Sequence, residues 1–418
     1  MVAPMPDPPG LLPAPRPTGD GGAGFDPRDI ASYYAFPAGY DGTGTTIALV
    51  SLTGAVRRRD VDAYFSALPG GAPPIEVVNL TGKSGNPPAD AALAVSLELL
   101  GSVAPGARLA VYVAGDTEQG VLEGLSSAIS GSARRADVVC LTWAMGEASV
   151  SPGLAAAVHQ LMEEAAAFGL PVCAPAGVWL EGNLRPLFPA THPFVLACGA
   201  TRAVRQDTGL AELPMVAVAG PPSASTLWRA EPWLATATGA SAAGRPVPDV
   251  SALTGGDAGY RVHLDGKWTS VTAPGTAVCL WAGLLACLRQ ALGRPWDVTG
   301  SLYRTLGPAG CLSAPAWDSR VGWGTPDGER MLAKLSALDL SGLVILGQQD
   351  RVDSLQALAP AKLNLRTVPP GRDRSAGGAP LPEHRYRRPT GPGAPAIPVR
   401  KPARGRRASP PAPARRGR

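Results

Sequence analysis

The sequence predicts an α/β fold with a central, mostly parallel sheet flanked by helices. Short apolar runs without polar alternation recur at 46–52, 108–113, 137–143 and 170–175. Strands covered by helices on both faces have this continuous pattern. Stretches rich in alanine and leucine separate the later runs, and their apolar residues lie three and four apart, as in helices. With 418 residues, 45% of them hydrophobic, the chain is long enough to bury a large core.

The first predicted elements follow a leader at 1–24 that is dense in proline and glycine. We expect this leader to be disordered, because such a composition buries little apolar surface. Asp26 precedes Pro27, an arrangement typical of a helix cap followed by proline at the first helical position. The run at 46–52 then predicts the first buried strand.

Three further helices are predicted at 89–101, 119–130 and 153–168 from apolar spacing of three and four. His159, Glu163 and Glu164 fall on the last of these among alanines. We interpret them as a solvent-facing side of that helix.

The C-terminal part differs in composition and charge from the rest of the chain. Residues 341–366 have moderate helical character, and 367–418 are rich in proline and arginine. From 341 to 418 there are 16 Lys and Arg against 4 Asp and Glu, whereas the rest has 22 against 29. The net charge of +5 therefore comes from a basic tail, which we expect to be disordered and able to bind anionic partners. The acidic body argues against a nucleic-acid-binding domain.

The six cysteines lie mainly within apolar runs and include no C-x-x-C pair. We expect buried, reduced thiols. A single disulfide between Cys140 and Cys173 remains open, because the two can lie on neighbouring strands.

The sequence has no run of about 18 apolar residues, so no membrane span is expected. Its first residues lack the basic stretch and apolar core of a secretion signal. We therefore expect a cytoplasmic location, with export by a non-standard route left open.

Four sequence blocks carry a resemblance to a known family. They are Ala104-Pro-Gly-Ala107, 188–201, 245–253 with its Pro-Asp-Val, and 272–282, which leads into an apolar helix. In this order and spacing the chain resembles the serine-carboxyl peptidases of the sedolisin family, and most closely the kumamolisin type. The resemblance implies a subtilisin-like three-layer peptidase domain at 25–340.

The resemblance also assigns four catalytic positions, and none of them has the family's residue. Members use a Glu base, an Asp beside it, a second Asp at the oxyanion and a Ser nucleophile. Matching Ala104-Pro-Gly-Ala107 places the Glu and the first Asp at Ala92 and Ser96. The turn after the strand at 170–175 places the second Asp at Val178, and the final block places the Ser at Gly275. These side chains cannot perform the family's proton transfers or nucleophilic attack.

Three functions follow from these observations. The first is an inactive pseudopeptidase that binds a peptide or protein ligand in the former substrate cleft. The second is an active serine-type endopeptidase with relocated residues, for which Asp90, Glu98 and Ser270 are the local candidates. The third is an interaction platform for the anion-binding basic tail.

The resemblance further implies a calcium site near the end of the peptidase domain. Asp318 is retained there, but Cys311 occupies the position of the first Asp and Ala316 replaces a glycine. Calcium prefers several oxygen ligands. We therefore expect no cofactor, and at most a weak calcium remnant at Asp318.

Overall fold

The computed structural model describes residues 16–19, 24–81, 87–131, 135–180, 183–206, 209–215, 223–239, 244–256 and 258–338. The chain divides into two units, 1–361 and 362–418, and every described residue belongs to the first. The predicted extension at 341–366 and the basic tail lie outside the described residues.

The strands alternate with helices for most of the described chain. The strands are β1 (Arg16–Gly19), β2 (Thr46–Leu52), β3 (Ile75–Asn79), β4 (Arg108–Ala114), β5 (Val138–Leu141), β6 (Met145–Gly146), β7 (Val172–Pro175), β8 (Gly177–Leu180), β9 (Asn183–Phe188), β10 (Val195–Gln206), β11 (Gly209–Pro214), β12 (Ser223–Ala224), β13 (Pro246–Val247), β14 (Val250–Leu253), β15 (Tyr260–Leu264) and β16 (Lys267–Thr272). The helices are α1 (Pro27–Tyr33), α2 (Arg58–Ser66), α3 (Pro87–Val103), α4 (Glu118–Ser130), α5 (Pro152–Ala167), α6 (Pro232–Thr238), α7 (Gly275–Leu292), α8 (Val298–Ser301) and α9 (Gly328–Ser336). A short 3₁₀ helix (Glu147–Ser149) and a π-helical turn (Leu302–Leu306) complete them.

The central sheet confirms the predicted fold class. Its strand order is β11-β10-β7-β5-β2-β4-β3, and β14 also pairs with β10. These pairings are parallel except for the antiparallel β10–β11 hairpin. All seven residues of β2 are buried, as expected for a strand with helices on both faces.

Two hydrophobic cores lie on opposite faces of this sheet. Ile47 and Leu49 of β2 belong to one core, which includes the apolar residues of α3 and α7. Ala48 and Val50 alternate with them and belong to the other core, with α4 and α5. The three layers are therefore a helical pair, the sheet and a second helical pair, as in a subtilisin-like fold.

Helix α7 is the central helix of the first core. Gly283 lets it approach α3, because a Cβ there would stand 2.4 Å from Val103 Cγ2. Among the described helices it alone is long and apolar enough to cross a membrane, but 78% of that window is buried inside the fold. Its apolar character is accounted for by the core.

The predicted helix start at Asp26 is confirmed, because its side chain accepts from the Arg28 amide and Pro27 opens α1. The predicted helices at 89–101, 119–130 and 153–168 correspond to α3, α4 and α5. Strand β1 was not predicted: within the leader, 16–19 pairs antiparallel with β16 next to Thr272.

The six cysteines are all buried and free, as expected for small apolar side chains. Cys140 and Cys173 are register partners on β5 and β7, yet no disulfide joins them.

A fully buried ion pair connects the segment before β14 to the central sheet. Arg245 and Asp249 are both 0% exposed, and Arg245 Nη2 lies 2.5 Å from Asp249 Oδ2. Asp249 also accepts from the Ala197 amide at 2.7 Å and from the Tyr303 hydroxyl at 2.6 Å. Arg245 donates to the Val195 carbonyl at 2.9 Å. The pair therefore fixes β10, the start of β14 and the π-helical turn relative to one another.

We expect Asp249→Asn to lower the free energy of unfolding by about 3–5 kcal/mol, because it leaves the Arg245 charge buried without its counter-charge. Urea denaturation measures this change. The matched control is Glu76→Gln, which removes the partner of Arg108 from an exposed pair 3.9 Å apart and should cost less than about 1 kcal/mol. A similarly small loss in Asp249→Asn would show that the buried pair does not hold the fold.

Candidate functional site

Gly275 is the first residue of α7 and follows the short turn that leaves β16. A Cβ built on Gly275 would lie 3.5 Å from the Cβ of Thr142, an ordinary van der Waals contact. Thr142 directly follows β5, so the position predicted for the nucleophile lies at the carboxyl edge of the parallel sheet. A serine side chain would fit there. Sequence reasoning missed Thr142, although its place directly after a buried strand is a usual signal of a site residue.

Ala92 and Ser96 lie one helical turn apart in α3. Ser96 is 4% exposed, and its hydroxyl donates to the Ala92 carbonyl at 2.8 Å. The Ser96 hydroxyl is the only polar group of these two side chains, and its proton is used in this bond within the helix.

The packing of α3 on α7 brings this pair to the level of Gly275. Cys287 Sγ donates to the Val103 carbonyl at 3.8 Å, and Val103 also faces Gly283. Both helices run away from the carboxyl edge of the sheet, since α3 connects the parallel strands β3 and β4 and α7 begins beside Thr142. We count seven residues back along each helix from these contacts, a distance of about 10 Å. The count leads from Val103 to Ser96 on α3, and from Gly283 and Cys287 into the first turns of α7.

Val178 lies in β8, which follows β7 at the same edge of the sheet, and it is half-buried. It pairs with Arg185 of β9. Its neighbour Gly177 must be glycine, because a Cβ would approach the Arg185 carbonyl oxygen to 2.2 Å. The four predicted catalytic positions therefore lie on α3, on β8 and at the start of α7, and Ser96 alone among them has a polar side chain.

The relocated candidates lie apart in separate contacts. Asp90 Oδ1 accepts from the Ala55 amide at 2.7 Å. Glu98 is fully buried, and its Oε2 accepts from the His263 amide at 2.9 Å on β15. Glu98 Oε1 and the buried Ser270 Oγ both lack a hydrogen-bond partner among the described residues. The structure therefore does not join this carboxyl to this hydroxyl.

Burial raises the pKa of Glu98 to about 9. The bond from the His263 amide lowers this pKa, and the charge of nearby Asp60 raises it. At neutral pH Glu98 is therefore protonated and cannot act as a general base.

His159 and His192 form a contact that the sequence did not predict. His159 Nδ1 lies 2.8 Å from His192 Nε2, and His159 Nε2 lies 3.6 Å from Glu163 Oε1. The Phe194 amide donates to His192 Nδ1, so Nε2 carries the proton given to His159. Burial, followed by the charge of His159, lowers the pKa of His192 well below its ordinary value. His159 Nδ1 and His192 Nε2 are therefore bonded to each other. No serine hydroxyl of the described residues takes part in this chain of bonds.

Asp318, the residue predicted to remain from a calcium site, is paired with the guanidinium of Arg320. Arg320 donates to Asp318 Oδ1 from its amide at 2.8 Å and from Nε at 2.9 Å, and to Oδ2 from Nη2 at 2.7 Å. These bonds hold the pKa of Asp318 below its ordinary value. Cys311 Sγ contacts the Arg330 carbonyl, and its thiol does not provide the oxygen that calcium prefers. No group of three or more His, Cys, Asp or Glu within the described part of the chain is placed to hold a metal ion. These residues do not fit calcium.

Comparison with known proteins gives two relatives by sequence and matches among solved structures. Kumamolisin of Bacillus sp. strain MN-32 is 31% identical over 351 residues, which cover 74% of this chain and 63% of kumamolisin. Tripeptidyl-peptidase sed5 of Aspergillus fumigatus is 26% identical over 383 residues, covering 73% of this chain and 65% of that protein. The chain therefore spans less than two thirds of the length of both relatives. No family model matches it.

Among solved structures, Pseudomonas sedolisin, a serine-carboxyl proteinase complexed with two molecules of pseudo-iodotyrostatin, matches with a TM-score of 0.65. The match is 18% identical and covers 75% of this chain and 98% of that one. At this identity it shows a shared fold.

We expect stability to fall as pH rises from the ordinary pKa of Glu98 to its folded value of about 9, because the folded chain holds a proton there that the unfolded chain releases. Glu98→Gln should reduce the fall by up to about 1.4 kcal/mol per pH unit. Urea denaturation between about pH 5 and pH 8 measures the slope. The exposed Glu123→Gln serves as the control and should keep the original slope. Equal slopes in the original chain and Glu98→Gln would contradict the assignment.

We expect calcium and a chelator to leave the melting temperature unchanged within about 1 °C, since a ligand stabilises a fold only in proportion to its binding. Thermal unfolding of the full chain with either additive tests this. A rise with calcium that disappears in Asp318→Asn would show that Arg320 yields its place to the metal.

Proposed function

We propose that this kumamolisin-like member of the sedolisin family is a pseudopeptidase, which binds a peptide or protein ligand without hydrolysing it. The observation that carries this proposal is Gly275, at the start of α7, where the family's serine is expected. A residue without a side chain cannot attack a peptide carbonyl.

The other positions support the same conclusion. Acyl transfer by a serine needs a base, a partner for the base and a stabilised oxyanion. Ala92 and Val178 have apolar side chains, and the Ser96 hydroxyl is bonded to its own helix. Loss of one member of such a catalytic set costs several orders of magnitude in rate, so loss of the whole set should leave no useful hydrolysis.

Glycine at 275 is not required by the backbone. Gly275 is absent from the glycines with positive φ, and a Cβ there would make only ordinary contacts with Thr142. The scaffold would therefore accept the serine that it lacks. This supports a role in which the cleft is kept for binding after its chemistry has been lost.

An active serine-type endopeptidase with relocated residues is the second candidate. Its support is the family itself, together with the buried Glu98 and Ser270 near the hairpin β15–β16. Against it stand the raised pKa of Glu98 and the lack of a bond between the two groups.

We also propose a cytoplasmic location and a salt-dependent anionic partner for the basic tail at 367–418. The support for the partner is the charge of 341–418, where Lys and Arg outnumber Asp and Glu by 16 to 4. The tail would then act together with a peptide-binding body, and its partner need not be the cleft ligand.

We expect the full chain to leave unfolded casein and a peptide library intact between about pH 3 and pH 8, the range over which carboxyl and imidazole bases titrate. Gly275→Ser should fold and remain inactive, because it restores a nucleophile without a base. Mass spectrometry of the digests measures cleavage. Hydrolysis by the original chain that is lost in Ser270→Ala, but kept in the exposed control Ser66→Ala, would establish the second candidate instead.

Binding by the former cleft is tested with the same library on immobilised full chain. Gly275→Phe should weaken capture by at least about tenfold, because its ring competes for the space beside Thr142, whereas Gly275→Ser should retain capture. Deletion of 367–418 should spare peptide capture and abolish retention on heparin. If the deletion removes peptide capture and Gly275→Phe does not, the binding belongs to the tail.

A further inference from the structure

A cavity of about 440 Å³ lies between α1, the hairpin β10–β11 and the loop at 313–325. Its lining includes Tyr33, Thr201, Glu212, Trp317 and Arg320. The volume lies within the range of small-molecule sites. Neither Gly275 nor Thr142 lines it, so it is separate from the former catalytic cleft.

Glu212 is held in a fixed position in the wall of this cavity. Its Oε1 accepts from the Tyr34 hydroxyl at 2.6 Å and from the Thr201 hydroxyl. The Tyr34 oxygen in turn accepts from the Leu253 amide at 2.8 Å, which orients its proton toward Glu212. Both bonds use the same carboxylate oxygen. Within the described residues, Oε2 receives no hydrogen bond.

Among the described residues that line the cavity, none is paired with Glu212 as a counter-ion. The other charged groups of the lining, Asp318 and Arg320, are bonded to each other through two side-chain bonds. Burial raises the pKa of Glu212, and the two hydroxyl donors lower it. A cationic ligand would supply the missing charge and would remove the cost of burying an unpaired carboxylate.

We propose that this cavity binds an organic cation, a primary ammonium or a guanidinium group, through Glu212 Oε2. Tyr33, whose side chain is half exposed, and Trp317 add aromatic surface of the kind that attracts such cations. The rest of the chain, outside the basic tail, has more acidic than basic residues, which favours approach of a cation. A metal ion suits the cavity less well, because Asp318 is engaged by Arg320.

Calorimetric titration of the full chain with acetyl-arginine amide and acetyl-lysine amide tests the proposal. One or both should bind, and acetyl-citrulline amide, which has a similar shape but no charge, should bind at least about tenfold more weakly. Glu212→Gln should weaken binding of the charged probe by a similar factor, whereas the exposed control Glu123→Gln should leave it unchanged.

Two further measurements distinguish a loss of binding from misfolding of the variant. The melting temperature of Glu212→Gln shows whether the variant is folded. Tyr33→Ala, which keeps the carboxylate, should weaken the charged probe by about two- to fivefold. Equal binding of the citrulline probe, no binding of either cation up to about 10 mM, or calcium binding that depends on Glu212 would each overturn the proposal.

Discussion

The interaction on which the rest of this fold depends is the buried ion pair between Arg245 and Asp249. A charge in a protein interior is stable only when a partner and hydrogen bonds replace the lost water. Asp249 receives the guanidinium, the Ala197 amide and the Tyr303 hydroxyl, and thereby connects β10, the start of β14 and the π-helical turn. Asp249 directly precedes β14, so the pair lies where β14 joins the sheet beside β10.

The framework is independent of the residues that carry out catalysis in the family. None of the four predicted catalytic positions is among the buried residues of the two described cores, and the close approaches at Gly177 and Gly283 involve other residues. Catalytic groups contribute to rate, whereas packing and paired charges contribute to stability. A sedolisin-family chain can therefore lose its chemistry and keep its fold, and this separation is the physical basis for proposing a binding role.

The sequence predicted those parts of the fold that depend on local pattern. Continuous apolar runs identified β2, β4 and β7 because both of their faces are buried, and the Asp26-Pro27 cap located α1. Contacts between distant segments could not be inferred in this way: Glu98 meets His263 across 165 residues, and His159 meets His192 across 33. The Asp318–Arg320 pair is different. Its two residues are only two positions apart, so the sequence did contain the signal that the predicted calcium ligand is paired with an arginine.

The fate of the remaining acids links the fold to the proposed functions. Among described residues the buried acids are Asp60, Glu98, Glu147 and Asp249. Three of them accept hydrogen bonds from neighbouring groups in the fold. Asp60 accepts from the amides of 265 and 266, and Glu147 from the hydroxyls of 225 and 226. Asp249 is paired with Arg245. Glu98 is kept neutral by its surroundings. A serine-carboxyl mechanism requires carboxyl groups that exchange protons with a substrate, and groups committed to structure cannot do so. Glu212 is different, because it lines a cavity and accepts the Tyr34 and Thr201 hydroxyls on one oxygen, Oε1. The cation that we propose for Glu212 would therefore bind away from Gly275, which does not line this cavity.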